Sequence, residues 1–350
     1  MISNTRIVIV AVFLVLAIVV GGTIAYQVHE SSNSYVATVA GEKVTTAEFK
    51  FFLRMIKNNY ETKAGVDYQS DDAKKNFWKT TTNKGEAAEV TAKNDALLEV
   101  QKFKIMLMKA KQANITLDNT DLDKAKQTMD NIVLAEGDGD KAQAEKNIKK
   151  KYWITLSEYD AIYKNYMLAF GKYASIEADS IRITDSQLLK KYTEAMNKEG
   201  KITVWEVFLE TVDPSSGKPL ANDKVKEKTD LAKEVYSKAK NGENFDTLVA
   251  NYTDDVGAKQ NGGEFSVTRD EKMPQEYIDW VFNAKEGDIG LVTTNRGYYV
   301  IKRPRFDELK DSLKRTYQLD EVNKKLEEWM KDDHYKMNVN KGALNSIKLY

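Results

Sequence analysis

Cysteine is absent from the 350 residues. That single absence removes thiol nucleophiles, zinc–thiolate sites, disulfides and lipid acylation of an N-terminal cysteine. Histidine occurs twice, as His29 and His334, so neither a Ser/His/Asp set nor a Cys/His pair can be assembled, which argues against a hydrolase. No glycine-rich stretch has the form of a phosphate loop, and no nucleotide or other cofactor is expected. Charge of one sign is not concentrated either. Lys+Arg and Asp+Glu both total 53, and their interspersion argues against a nucleic-acid partner, which demands a basic face.

What is present begins with an apolar run. Ile7 to Ala25 carries no charge and follows Arg6. Its length is close to the ~20 residues that cross a bilayer, and the positive flank places the rest of the chain outside the cytoplasm. The expected layout is a cytoplasmic N-terminus at 1–6, a transmembrane signal anchor at 7–26 and a linker at 27–35. The competing reading is a signal peptide cut near Ala25, where Thr23 and Ala25 form a weak small-residue site. The expected location is the cell membrane, single-pass, with the bulk of the chain extracytoplasmic.

The length implies two domains. Val36 to Ala40 reads as a strand, and Thr45 with Glu48 forms a capping box that opens a helix to about Tyr60. Apolar residues at helical spacing predict further helices at 87–113, 121–134, 141–151 and 156–176. Trp153, Tyr159, Tyr163 and Tyr166 form an aromatic stripe, more in keeping with a core than with a peptide-binding surface. A short helix from Thr184 to Asn197 ends at Gly200. The pattern then changes to a β-branched and aromatic strand, Ile202 to Leu209. A turn-rich loop at 213–217, helices from Asn222 and Asn244, a glycine-containing loop at 256–263 and strands near 292 and 298–302 follow. Residues 306–331 return to amphipathic helix, expected to pack on the N-terminal helices.

Segment 200–305 carries a series of landmarks: Val204-Trp205-Glu206-Val207-Phe208-Leu209, Gly242-Glu243-Asn244-Phe245, Tyr252-Thr253-Asp254-Asp255, Gly262-Gly263-Glu264-Phe265, Met273-Pro274-Gln275-Glu276-Tyr277, Gly287-Asp288-Ile289-Gly290 and Gly297-Tyr298-Tyr299-Val300-Ile301. In order and spacing they resemble the parvulin (rotamase) family of peptidyl-prolyl isomerases. The flanking segments resemble extracytoplasmic foldases of the PrsA and SurA kind. The implied fold is α+β: a discontinuous helical chaperone-like domain (36–199, with 306–350 packing back on it), an inserted parvulin-like β-α-α-α-β-α-β domain (200–305) and the N-terminal transmembrane helix.

The resemblance also assigns roles, and this chain departs from them. The family places histidines where this chain has Glu206 and Tyr299; an acidic or thiol position is kept as Asp255. His29 and His334 match nothing. By resemblance, Asp255, Glu206 and Tyr299 are the candidate catalytic residues, and Met273, Tyr277, Phe265 and Thr294 the substrate-binding ones. Met273, Tyr277 and Phe265 would form an apolar slot for the proline ring. Thr294, Glu206 and Tyr299 would form a polar floor in which a Tyr hydroxyl donates to the Glu carboxylate. A buried, unpaired Glu206 would have a raised pKa. Three bland alternatives stand beside these roles: Glu206 facing solvent, Asp255 as a loop cap, and Met273 with Tyr277 as plain core. The implied function is a membrane-anchored foldase for unfolded or proline-containing exported polypeptides, isomerase or chaperone or both. A catalytically inactive peptide-binding scaffold is the alternative, and homodimerisation is left open.

Overall fold

The computed structural model describes residues 35–66, 70–82, 85–213 and 216–349. The expected anchor at 7–26 lies outside them, as does His29. No helix among the described residues is long and apolar enough to cross a membrane. The chain divides into two compact units, one running to Ile181 and resuming at Leu319, the other Arg182–Gln318. The sequence suggested 200–305 for the inserted part; the compact unit adds helix at both ends of that segment.

The first unit is built from both ends of the chain. Tyr35–Val39 pairs antiparallel with Glu42–Thr45 on one side and with Met337–Val339 on the other. The last strand had no period-two signature and was not expected. The Thr45/Glu48 capping box forms as the sequence indicates and starts helix Thr46–Lys63. Its apolar face, Phe49, Phe52 and Leu53, is buried with Val100, Phe103 and Met106 of helix Ala88–Gln112, and Val322 and Leu326 from the C-terminal segment join the same core. Each such side chain removed from water contributes about 2 kcal/mol. Tyr159 meets Phe51 edge-on and Tyr166 meets Phe52 at a tilt, with ring centroids 5.3 and 6.4 Å apart, so these members of the aromatic stripe pack half-buried against the core. The helix expected at 156–176 is interrupted by a π-helical stretch, Met167–Tyr173, before resuming as Ala174–Ser180.

The second unit centres on a four-stranded antiparallel sheet in the spatial order Glu264–Val267, Ile202–Glu210, Gly297–Lys302, Ile289–Thr293. The strands expected near 292 and at 298–302 form a closing hairpin, which gives the expected β-α-α-α-β-α-β order one more strand. The loop expected at 256–263 contains a short helix, Val256–Gln260, opened by Asp255. Period-two alternation on the opening strand Ile202–Glu210 sends its side chains to opposite faces. Val207 and Leu209 pack with Val235, Leu248 and Val300 under helices Asn222–Lys240 and Phe245–Tyr252. Ile202, Val204 and Phe208 face the other way, with Tyr299, Ile301 and the buried side of helix Gln275–Asn283, namely Tyr277, Ile278 and Val281. Glu206 shares that second face by register.

Two glycines allow this packing. Gly263 has a φ of +74°, and a Cβ there would fall 2.6 Å from the Glu206 carbonyl oxygen; its own carbonyl accepts from the Glu206 amide at 2.9 Å. Only glycine combines that conformation with that approach. At Gly290 a Cβ would meet the Trp280 ring at 2.1 Å. Gly290→Ala is therefore expected to push helix Gln275–Asn283 off the sheet and lower stability by about 2 kcal/mol, measured as a shift in the urea unfolding midpoint. An unshifted midpoint would contradict this packing.

Candidate functional site

The opening strand is bordered along its first half by Glu264–Val267 and along its second half by loop backbone. Thr253 Oγ1 accepts from the Phe208 amide at 3.1 Å, the Asp254 amide donates to the Phe208 carbonyl at 2.8 Å, and Asp254 Oδ2 accepts from the Glu210 amide at 2.8 Å. These bonds hold loop 253–255 against the strand and bring Asp255 to the Glu206 face. On the strand's other side the register sets Phe208 opposite Tyr299, and the two rings stack with centroids 4.5 Å apart and planes 26° apart. Helix Gln275–Asn283 then delivers Tyr277, whose ring meets Tyr299 edge-on at 5.0 Å.

The result is an open cavity of about 450 Å³. Six of the seven candidate residues line it: Glu206, Asp255, Phe265, Met273, Tyr277 and Tyr299. Thr294 does not. Its hydroxyl donates to the Gly297 carbonyl at 3.1 Å and accepts from the Arg296 amide at 3.1 Å, closing the turn of the hairpin. The assignment of Thr294 to the polar floor is corrected accordingly: a threonine between a strand and an Asn-Arg-Gly turn satisfies local backbone groups first.

Tyr277 also changes role. It is buried, 1% exposed, but its hydroxyl donates to Glu206 Oε2. The Tyr-to-Glu hydrogen bond that the sequence suggested exists, with Tyr277 as donor in place of Tyr299. Glu206 is 4% exposed, which excludes the solvent-facing alternative. Burial raises its pKa to about 7; the Tyr277 hydrogen bond opposes that rise and the Asp255 charge adds to it. Burial and the Glu206 charge push the Tyr277 hydroxyl far above its usual range, and the same two causes, in the same order, push Tyr299 up to about 12. Both tyrosines therefore remain donors across the physiological range. Asp255 does cap a helix, its Oδ1 accepting from the Gly257 and Ala258 amides at 2.7 and 3.0 Å. It lines the cavity as well, so the loop-cap and site readings hold together.

Sequence reasoning missed Phe208, Glu210, Asp254, Glu271 and Arg296, which also line the cavity. Period-two spacing from Glu206 was sufficient to find Phe208 and Glu210. Glu271 and Arg296 lie on connections, where no periodicity reports direction.

Residues 187–304 match the PPIC-type PPIase domain. The chain is 26% identical over 304 residues to a foldase protein PrsA of Caldanaerobacter subterraneus, covering 85% of this chain and 83% of that protein. It is 23% identical over 328 residues to a foldase protein PrsA of Clostridium kluyveri, covering 86% and 87% respectively. The crystal structure of PrsA from Bacillus subtilis aligns with a TM-score of 0.38 at 20% identity, over 73% of this chain and 91% of that one. Residues 187–304 are thus similar to PPIC-type PPIase domains, and the chain resembles the PrsA foldases over most of its length.

The Glu206 pair makes stability depend on pH. The folded chain holds the Glu206 proton up to about pH 7, against an ordinary value of 4.5. Its contribution is thus complete below about 4.5, falls as pH rises through that window, and is lost above 7. The slope approaches about 1.4 kcal/mol per pH unit. Glu206→Gln is expected to remove that slope from the difference between the two proteins in urea unfolding at pH 5 and pH 8. Tyr277→Phe is expected to move the window upward and to cost about 2 kcal/mol at pH 8, where the carboxylate loses its donor. Unfolding curves that stay parallel across pH in the wild type and Glu206→Gln would contradict the burial.

Proposed function

We propose that the chain is a membrane-anchored extracytoplasmic foldase whose second unit isomerises X-Pro bonds in exported polypeptides. One observation carries this reading: Met273, Phe265, Tyr277, Tyr299, Glu206 and Asp255 converge on one cavity inside a segment matching the PPIC-type PPIase domain. Support for the location comes from the uncharged run Ile7 to Ala25 behind Arg6. Uncatalysed isomerisation takes tens to hundreds of seconds, slow enough to limit folding, and its catalysis requires no ATP.

The reaction breaks no covalent bond. Its barrier of about 18–20 kcal/mol is the amide resonance lost on twisting. In this cavity Met273 and Phe265 grip the proline ring, and the walls strip water from the imide. The planar imide carries negative charge on its oxygen and positive charge on its nitrogen, whereas the twisted form is closer to a plain ketone and amine. A carboxylate beside that oxygen destabilises the planar form more than the twisted one, which lowers the barrier. Asp255 supplies this charge, and Glu206 adds to it once ionised. Tyr277 fixes the carboxylate and moves no proton, while Tyr299, at the family's histidine position, packs its ring against Tyr277.

The alternative is an inactive peptide-binding scaffold, favoured by the loss of both family histidines. A protease-coupled proline-peptide assay separates the two. Under the isomerase reading kcat/KM rises severalfold from pH 6 to pH 8 with a midpoint about 7, Glu206→Gln flattens that profile, and Met273→Ala lowers kcat/KM about tenfold. Rates equal to buffer at every pH, with client aggregation still suppressed, would establish the scaffold instead.

A further inference from the structure

The rim of the cavity carries charge that the proline slot does not use. Five carboxylates line it, Glu206, Glu210, Asp254, Asp255 and Glu271, against one cation, Arg296. Arg296 is engaged: its Nη2 lies 3.7 Å from Glu210 Oε1, and its guanidinium lies 5.4 Å from the centre of the Phe208 ring. Asp254 is engaged as well, by Lys228, whose Nζ lies 2.8 and 2.6 Å from its two carboxylate oxygens. Three carboxylates have no ion pair among the described residues: Glu206, which takes the Tyr277 hydroxyl instead, and Asp255 and Glu271 at the edge of the cavity. Asp255 meets only backbone amides. The charge of Glu271 instead reaches across to raise Tyr277. The nearby Arg269 does not relieve it, since its guanidinium lies over the Phe282 ring at 4.2 Å.

We propose that this cavity selects X-Pro bonds flanked by lysine or arginine and rejects those flanked by aspartate or glutamate. The proposal rests on reading the cavity as the prolyl site and adds its substrate class. The apolar slot is defined by Met273 and Phe265 and takes the proline; the surplus negative charge beside it is unmatched until a cationic side chain arrives. A lysine or arginine suits both parts, since its aliphatic stem lies along apolar surface while its head reaches the carboxylates. An acidic neighbour meets repulsion from Asp255 and Glu271 and finds Arg296 already paired. Two close unit charges in water change an equilibrium by roughly fivefold, so two such carboxylates multiply to roughly 25-fold, which partial screening at 50 mM salt lowers to the order of tenfold. The preference fades at 1 M salt, where the screening length is about 3 Å.

The test uses the full chain and three proline peptides that differ only in the residue before proline, Lys, Ala or Glu. For each, NMR gives cis–trans exchange rates and a Kd, at 50 mM and at 1 M NaCl. The expected order is Lys, Ala, Glu, with a Lys-to-Glu ratio near tenfold at 50 mM that shrinks toward one at 1 M. Glu271→Gln reduces the ratio and Glu271→Lys reverses it. Equal values for the three peptides with catalysis intact would overturn the selectivity and leave the isomerase reading standing. Selective binding without turnover would keep the selectivity and remove the catalytic reading. No binding and no turnover with any peptide would overturn both.

Discussion

The hydrogen bond from the Tyr277 hydroxyl to the buried Glu206 carboxylate joins a helix to a strand at the floor of the cavity, and the remaining geometry is arranged around it. A carboxylate that is 4% exposed is tolerable only with a donor in place. The donor comes from helix Gln275–Asn283, so that helix must sit close to the sheet. Gly290 permits the approach by leaving room for Trp280, and Gly263 permits loop backbone to close on Glu206 from the other side. Phe208 and Tyr299, stacked across two strands, complete a wall that keeps water from the pair.

The same pair explains how a parvulin-type cavity persists without its histidines. A histidine pair supplies a hydrogen-bonded polar floor. Here one strand position offers an acceptor that is hard to ionise, and Tyr277 of the helix supplies a donor that is hard to deprotonate, with the Tyr299 ring packed against it. The floor remains polar and hydrogen-bonded while its charge depends on pH near neutrality.

Much of this was legible in the sequence because it was local or periodic. The Thr45/Glu48 capping box, the αL glycine at Gly200 and the alternation of the opening strand follow from short-range rules. The order of landmarks from Glu206 to Tyr299 identified the domain. Interactions between distant segments were less accessible. Which tyrosine reaches Glu206 depends on how closely the Gln275–Asn283 helix approaches the sheet, and no spacing in the chain encodes that. Thr294 was misplaced because a turn satisfies its own backbone first. The strand Met337–Val339 has too few residues for a period, and pairing with Tyr35–Val39 across about 300 residues is what makes it a strand.

The central claim is that Glu206 is a buried, tyrosine-held carboxyl at the floor of a proline-binding cavity. Site-specific NMR titration of its carboxyl carbon, with and without a saturating proline peptide, tests this most directly. A midpoint about 7 that shifts when the peptide covers the cavity is the predicted result. A midpoint near the ordinary 4.5, indifferent to peptide, would contradict it.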